Sequence, residues 1–456
     1  MELKDRKALV VGLGRSGLAA AEFLCSRGAR VTVTDVQPAD SLGALIRRLP
    51  SDVRLRLGGH PIEEFRTSDF IVLSPGVPAS LPQMVEARRA GVPILSEVEL
   101  AFRFLSGFFV GITGSNGKTT TTSLLGEIFQ AAGRDCVVAG NIGVPLTRVL
   151  NEDRRADIFV VQLSSFQLET VSTLKCDVAV LLNLTPDHLD RYSDPHSYYE
   201  AKLRVFRNQS ADDWAVWNAD DPISRVMVTS LGARSFSFSL ERPRSPGAFL
   251  AGGRIVIDLG DGSVPLMPVS DVTLRGRHNL ANVLAAAGAA GAAGADPRSI
   301  AEAVRRFRGV EHRLEHVRRI GGVDYYNDSK ATNIDATRRA VEAFDGPIVL
   351  ILGGLDKEGD FRGLADALRG RVVRAVAFGR AAPKIVASLA GVVAVTRSAS
   401  LEDAVVEARA AATPGSVVLL APACASFDMF KDFEHRGRVF KEIVADLEES
   451  RSSEAS

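Results

Sequence analysis

The stretch "GITGSNGKTTTTSLL", Gly111 to Leu125, constrains the fold of this chain more than any other. An apolar run, "FFVGIT", leads into a glycine-rich turn, and an apolar helix-forming segment follows at once. Consecutive backbone N–H groups at a helix N-terminus make a nest for an anion, and Lys118 brings positive charge to the β- and γ-phosphates. Thr119 is placed to offer its hydroxyl to Mg²⁺. The usual phosphate loop has four residues between its first glycine and its Gly-Lys pair. Here Ile112 occupies that first position, with Gly111 and Gly114 on either side. The loop is longer by a residue and loses none of its parts, so a nucleoside triphosphate is the expected ligand.

Around this loop the 456 residues fall into three α/β blocks. Residues 1–98 alternate "KALVVGLG", "GLAAAEFLCSRG", "RVTVTD" and "FIVLSPGVP", the pattern of a parallel sheet wrapped by helices. Residues 99–309 carry the phosphate loop, "DIFVVQLSS" and "CDVAVLLNLTPDHLD". Residues 310–456 add the apolar strands "PIVLILGG", "VRAVAFG" and "SVVLLAPA". The expected architecture is a Rossmann-like N-terminal domain, a central P-loop ATPase-like domain and a Rossmann-like C-terminal domain. Residues 235–275 read as a small β-rich appendage of the middle block, because short strands alternate with Gly, Pro and Asp turns.

Charge and cysteine usage exclude several classes. Lys plus Arg and Asp plus Glu are 55 each, so no basic field draws the chain to nucleic acid or acidic lipid. No apolar signal stretch opens the sequence and no run is long enough to span a membrane, so no membrane insertion and a cytoplasmic location are expected. Cys25, Cys136, Cys176 and Cys424 lie far apart without metal-ligand spacing and read as free thiols.

Further motifs sit at predicted strand ends. "VVGLGRSG" places Gly12, Gly14 and Gly17 between a strand and a helix, with Asp35 closing the next strand. Such a turn serves NAD, another nucleotide or phosphate, or architecture alone. A triphosphate site also needs a metal-holding acid at a neighbouring strand end. The candidate strand ends in Gln162; Asp157 lies too far back along it, and Glu169 reads as a structural partner. "LNLTPDHLDRY" brings Asp187, His188 and Asp190 into one turn, where His188 is a candidate metal or substrate ligand. Lys202 stands among apolar neighbours, where a lysine is either snorkelling or paired.

In order along nearly the whole chain, "GLGRSG", "TGSNGKTT", "GNIG", "LSSFQLE", "LTPDHLDRY", "GRHNLAN", "EHRLE", "NDSKATN", "LGGLDK" and "APACASFDMFKDFEHRG" resemble the Mur ligase family. These are ATP-dependent amide-forming enzymes of peptidoglycan precursor synthesis, and the longer Gly-Lys-Thr loop is the family's form. "LSSFQLE" and "ACASFDMFKDFE" are similar to the branch that adds D-glutamate to UDP-N-acetylmuramoyl-L-alanine. The resemblance implies ATP contacts from Gly114, Ser115, Asn116, Gly117, Lys118, Thr119 and Thr120. It adds Asn279, Asn282, Arg313, Asp328 and Lys330 across the domain cleft. It implies Arg15, Ser16, Asp35, Ser74, Asn141 and His188 for the UDP-sugar, making the first domain a UDP module and not an NAD one. Thr332, Lys357, Ser426 and Phe433 match the D-glutamate pocket, Phe433 through its backbone. Lys118, His188 and Lys202 take the catalytic roles. Two Mg²⁺ sites are implied at Thr119, Gln162, His188 and Lys202, the last carbamylated. Gln162 departs from the family, which has a Mg²⁺-ligating glutamate there. A monomer is the expectation. The rivals are a folylpolyglutamate-type ligase, which should lack the "GLGRSG" domain, and a nucleotide-binding regulator without turnover.

Overall fold

The computed structural model describes residues 1–188, 191–228 and 231–453; Asp190 of the DHLDRY motif lies outside them. Among the described residues three sheets form, and their central strands, such as Phe70–Leu73, Val178–Leu181 and Ile348–Gly353, are apolar and buried along their whole length, as a parallel strand must be when helices cover both sides. The first sheet is wholly parallel. From one edge it runs Arg54–Leu57, Arg30–Asp35, Lys7–Val11, Phe70–Leu73, Ile94–Ser96. The strand order reverses beside Lys7–Val11, and its carboxyl end, together with that of Phe70–Leu73, forms the crevice where open α/β sheets take ligands.

The second sheet has nine strands, and the phosphate-loop strand Phe108–Thr113 lies between Val178–Leu181 and Ile158–Gln162. All three are parallel, so their carboxyl ends bring the phosphate loop, Gln162 and the segment after Leu181 to one edge. Cys136–Gly140 pairs outside Ile158–Gln162 and delivers the Asn141 loop to the same edge. The segment expected as an appendage is continuous with this sheet. Arg234–Ser239 pairs parallel with Trp214–Asn218 and with Gly247–Ala251, and Arg254–Asp258 and Ser263–Pro268 extend the edge antiparallel. Its Gly and Asp turns close hairpins at the sheet edge, and they do not detach a separate body.

The third sheet runs Glu315–Ile320, Val323–Asn327, Val417–Leu420, Ile348–Gly353, Val372–Phe378, Val395–Arg397. Only the first pair is antiparallel. Val417–Leu420 lies between Val323–Asn327 and Ile348–Gly353, so the loops after these three strands emerge side by side. The chain divides into two compact units, residues 1–271 with 281–306, and residues 272–280 with 307–456. No helix among the described residues is long and apolar enough to cross a membrane.

Candidate functional site

In the first unit the phosphate loop is pinned from beneath. Ser115 N donates to Asn183 O at 2.9 Å, Asn116 N donates to Asn183 Oδ1 at 2.9 Å, and Asn183 Nδ2 returns a bond to Asn116 O at 3.0 Å. Ser115 Oγ donates to Thr185 O and accepts from Thr185 N. Gly117 sits at φ +86°, and a Cβ there would come within 2.2 Å of Asn282 Oδ1. Glycine is therefore required by backbone and by space, and Asn282 lies against the loop. Helix Lys118–Ala131 starts at once, with Thr119 and Thr120 buried in its first turn.

Two lysines converge on one carbonyl. Lys118 Nζ donates to Gly114 O at 2.6 Å and to Ser115 O at 2.8 Å, and Lys202 Nζ donates to Gly114 O at 2.9 Å. Lys202 is 1% exposed and lies 4.4 Å from the centre of the Tyr198 ring. Burial, then the Lys118 charge, hold its ammonium well below the ordinary lysine value; Asp187 opposes this. Lys202 is therefore buried and not snorkelling.

Beside them Thr119 Oγ1 donates to Gln162 Oε1 at 3.1 Å, and Asn141 N donates to Gln162 O at 2.9 Å. His188 has φ +56°, and its ring lies 6.1 Å from that of Tyr198, so it shares one aromatic wall with Lys202. The hydroxyl and amide oxygens of Thr119 and Gln162 are hard donors of the type Mg²⁺ takes. The donor set fits the ion, but with one carboxylate fewer than a charged site would have.

The N-terminal loop is braced by its own residues. Asp35 accepts from Leu13 N at 2.7 Å and from Gln37 N at 2.8 Å; Ser74 Oγ donates to Gly12 O at 2.7 Å. A Cβ on Gly17 would come within 1.9 Å of Gly12 O, so this glycine serves close packing. Ser16 is half-buried in the first turn of helix Arg15–Ser26. Arg15 Nη2 donates to Gly143 O at 2.6 Å, which ties this loop to the one that carries Asn141.

In the second unit Asn279 and Arg313 line one cavity of about 480 Å³ with Arg275, Glu315 and Tyr326. Burial pushes the Asp328 carboxyl up to about 7, against the pull of Arg313. Lys330 Nζ lies 3.5 Å over the Phe433 ring. Lys357 is exposed, and Ser426 is buried in the loop after Val417–Leu420. One buried cation gathers these loops. Arg436, 0% exposed, donates from Nε to Ser329 Oγ, from Nη2 to Ser329 O and Cys424 O, and from Nη1 to Ala425 O. Ser329 Oγ in turn donates to Phe433 O at 2.8 Å. The turn holding Lys330 and Thr332, the Ser426 loop and Phe433 are thus fastened together.

Asn183, Tyr198, Arg191 and Arg436 are not singled out by sequence reasoning. Asn183 had a signal: it lies two residues beyond the end of a strand that neighbours the phosphate-loop strand. Arg436 lies inside the quoted stretch APACASFDMFKDFEHRG, but nothing in its spacing sets it apart from the charged residues beside it.

Residues 6–96 match the family model of the Mur ligase MurD-like N-terminal domain, residues 112–290 that of the Mur ligase middle domain, and residues 312–424 that of the Mur ligase glutamate ligase domain. The UDP-N-acetylmuramoylalanine–D-glutamate ligase of Acidobacterium capsulatum is 49% identical over 447 residues, 97% of each chain. That of Solibacter usitatus is 47% identical over 448 residues, 98% of this chain and 99% of its own. The solved MurF ligase of Thermotoga maritima in complex with ADP superposes with a TM-score of 0.60 at 18% identity, covering 98% of this chain and 96% of that one.

Proposed function

The chain belongs to the Mur ligase family, and from that premise we propose that it joins UDP-N-acetylmuramoyl-L-alanine to D-glutamate at the expense of ATP, forming ADP and phosphate. The observation that carries the reading is the 49% identity to a D-glutamate ligase over 97% of both chains. A carboxylate is a poor acyl donor, so ATP first converts it to an acyl phosphate. The D-glutamate amine then attacks, and a tetrahedral intermediate expels phosphate. Charge gathers on phosphoryl and carbonyl oxygens, where cations and fixed donors lower the barrier most.

In this reading the N–H groups of residues 114–120 cradle the triphosphate and Lys118 leaves Gly114 O for the phosphate oxygens. Asn279, Asn282, Arg313, Asp328 and Lys330 serve ATP. Arg15, Ser16, Asp35, Ser74 and Asn141 serve the UDP-sugar, with His188 at its acyl end. Thr332, Lys357, Ser426 and the Phe433 backbone fix D-glutamate. Thr119 and Gln162 would hold one Mg²⁺, and His188 and Lys202 a second; bound there, the ions would supply positive charge to the phosphoryl oxygens. The depressed Lys202 ammonium favours the free amine, which can take up CO₂ and release a proton to give an anionic carbamate. We place domain boundaries near residues 98 and 309, and expect a monomer acting in the cytoplasm.

A folylpolyglutamate-type ligase is disfavoured by the N-terminal match over residues 6–96. The test is phosphate release from ATP with UDP-N-acetylmuramoyl-L-alanine, screened across amino acids. Release should require D-glutamate and leave L-glutamate nearly inert, because a pocket fixing both carboxylates presents only one enantiomer's amine to the acyl phosphate. Equal turnover of the two enantiomers removes the substrate assignment; no release with any amino acid favours the regulator.

A further inference from the structure

Phe166, Glu169, Arg191 and Tyr192, all within the SSFQLE and DHLDRY motifs, have no role in the ligase reading. The structure joins them into one bracket. The Arg191 side chain is 11% exposed and donates from Nη1 to Pro75 O at 2.9 Å and from Nη2 to Val77 O at 3.0 Å. Its guanidinium carbon lies 3.7 Å from the centre of the Phe166 ring, and Nη2 is 3.7 Å from Glu169 Oε2. Glu169 is itself fixed, since the Tyr192 hydroxyl donates to its Oε1 at 2.5 Å.

The same residues hold His188. The Arg191 and Tyr192 amides both donate to His188 O, at 2.9 and 3.1 Å, across a backbone held at φ +56°. The Phe166 ring that supports the guanidinium also meets the His188 ring edge-on at 4.9 Å. On the other side, Pro75 and Val77 follow Ser74 at the carboxyl end of Phe70–Leu73, beside the reversal of strand order in the N-terminal sheet. A single side chain therefore touches the crevice loop of one sheet while its own backbone closes the His188 turn of another.

We propose that Arg191 is a positioning residue that couples loop 74–77, which seats the UDP-sugar, to the turn that places His188. The proposal rests on the ligase reading and names no new ligand. Two carbonyls require two donors at a fixed separation, and the flat ion must also lie on a ring. Arginine meets both demands; lysine offers the charge without the fork or the plane. With the bracket intact, a UDP-sugar settling on loop 74–77 stiffens the His188 turn. With it broken, both the seating and the turn loosen.

The test uses the full chain with Arg191→Lys and, separately, Glu169→Gln, which leaves the fork but removes the acid beside it. Binding of UDP-N-acetylmuramoyl-L-alanine alone is measured by calorimetry, followed by kcat and the KM of each substrate. For Arg191→Lys the UDP-sugar should bind about 10-fold more weakly and kcat should fall about 10-fold, the scale of losing charged hydrogen bonds. The D-glutamate KM should stay within about twofold, because none of the residues proposed for that pocket belongs to this bracket. Glu169→Gln should move binding and kcat in the same direction by less. A lowered melting temperature with unchanged binding and kcat per folded molecule overturns the proposal. Should Arg191→Lys fail to fold, the binding and kcat of Glu169→Gln decide alone. Wild-type protein that binds no UDP-sugar sinks the ligase reading and this coupling with it; wild type that binds, matched by both variants, sinks the coupling alone.

Discussion

Replacing Gln162 with glutamate should make the enzyme reach half-maximal rate at lower Mg²⁺. Gln162 is 2% exposed, and its Oε1 accepts from Thr119 Oγ1 at 3.1 Å, which places a neutral oxygen beside the proposed metal ligand. Two unit charges about 4 Å apart interact by about 4 kcal/mol at an effective dielectric near 20, and a divalent ion doubles that. Burying a carboxylate costs several kcal/mol in return, so most of the gain is offset. A residue of about 1.5–3 kcal/mol, the worth of a charged hydrogen bond, is a shift of about 10- to 100-fold in the Mg²⁺ midpoint. Saturating Mg²⁺ should leave the two rates close, because the substitution changes occupancy more than chemistry. Burial also raises the pKa of a glutamate at this depth. The advantage should therefore shrink as pH falls and the new carboxylate takes a proton. Phosphate release against free Mg²⁺ for both proteins decides the point, with Mn²⁺ binding by spin resonance as a readout that needs no turnover. Superimposable curves would show that Gln162 does not touch the metal or that another acid serves in its place.

Three further outcomes follow from the same geometry. Lys357→Ala should raise the D-glutamate KM about 10- to 100-fold if this exposed cation pairs a substrate carboxylate as proposed; an unchanged KM puts Lys357 outside the pocket. Lys202→Ala should nearly abolish turnover, Lys202→Glu should retain more than alanine, and intact-site mass spectrometry should find added CO₂ on the wild type. A plain amine in active protein defeats the carbamate. Glu97 supplies a stability test: burial pushes its carboxyl from 4.5 up to about 7, against bonds from Thr147 N and Oγ1. Between those values the folded chain keeps a proton that the unfolded chain has released, so stability falls as pH rises through the window. At about 1.36 kcal/mol per pH unit the loss is about 3 kcal/mol, and Glu97→Gln should remove it; urea unfolding that keeps the same slope in the variant refutes the assignment.

The parallel strands were legible in the sequence because apolar runs of four to six residues closed by glycine or polar turns carry their own signal. "FFVGIT", "DIFVVQ" and "CDVAVL" each become a strand of one sheet. The continuity of residues 234–268 with that sheet was not legible, since pairing partners across a sheet edge leave no local mark on short strands. The loop declared itself through Gly117, Lys118 and Thr119, whose spacing matches what a phosphate would demand. Lys202 could be read two ways, and only its 1% exposure distinguishes a buried amine from a snorkelling one. Arg191 and Arg436 stayed hidden for a related reason. What marks them is the set of carbonyls they gather, and those carbonyls come from segments distant in sequence.

The two lysines on Gly114 O bring two positive charges to one carbonyl of the loop. Their ammonium groups share one carbonyl, and Lys118 is the second-largest cause, after burial, of the depressed Lys202 value. Two like charges this close disfavour full ionisation of both, and the buried Lys202 bears most of the effect. On the proposed function, a triphosphate arriving in the loop would draw Lys118 away from Gly114 and neutralise it. A carbamate on Lys202 would replace the second positive charge with a negative one. Either event would relieve the same repulsion, so once one has occurred the other has less to gain, and on the proposed function triphosphate loading and conversion of Lys202 would oppose each other through Lys118.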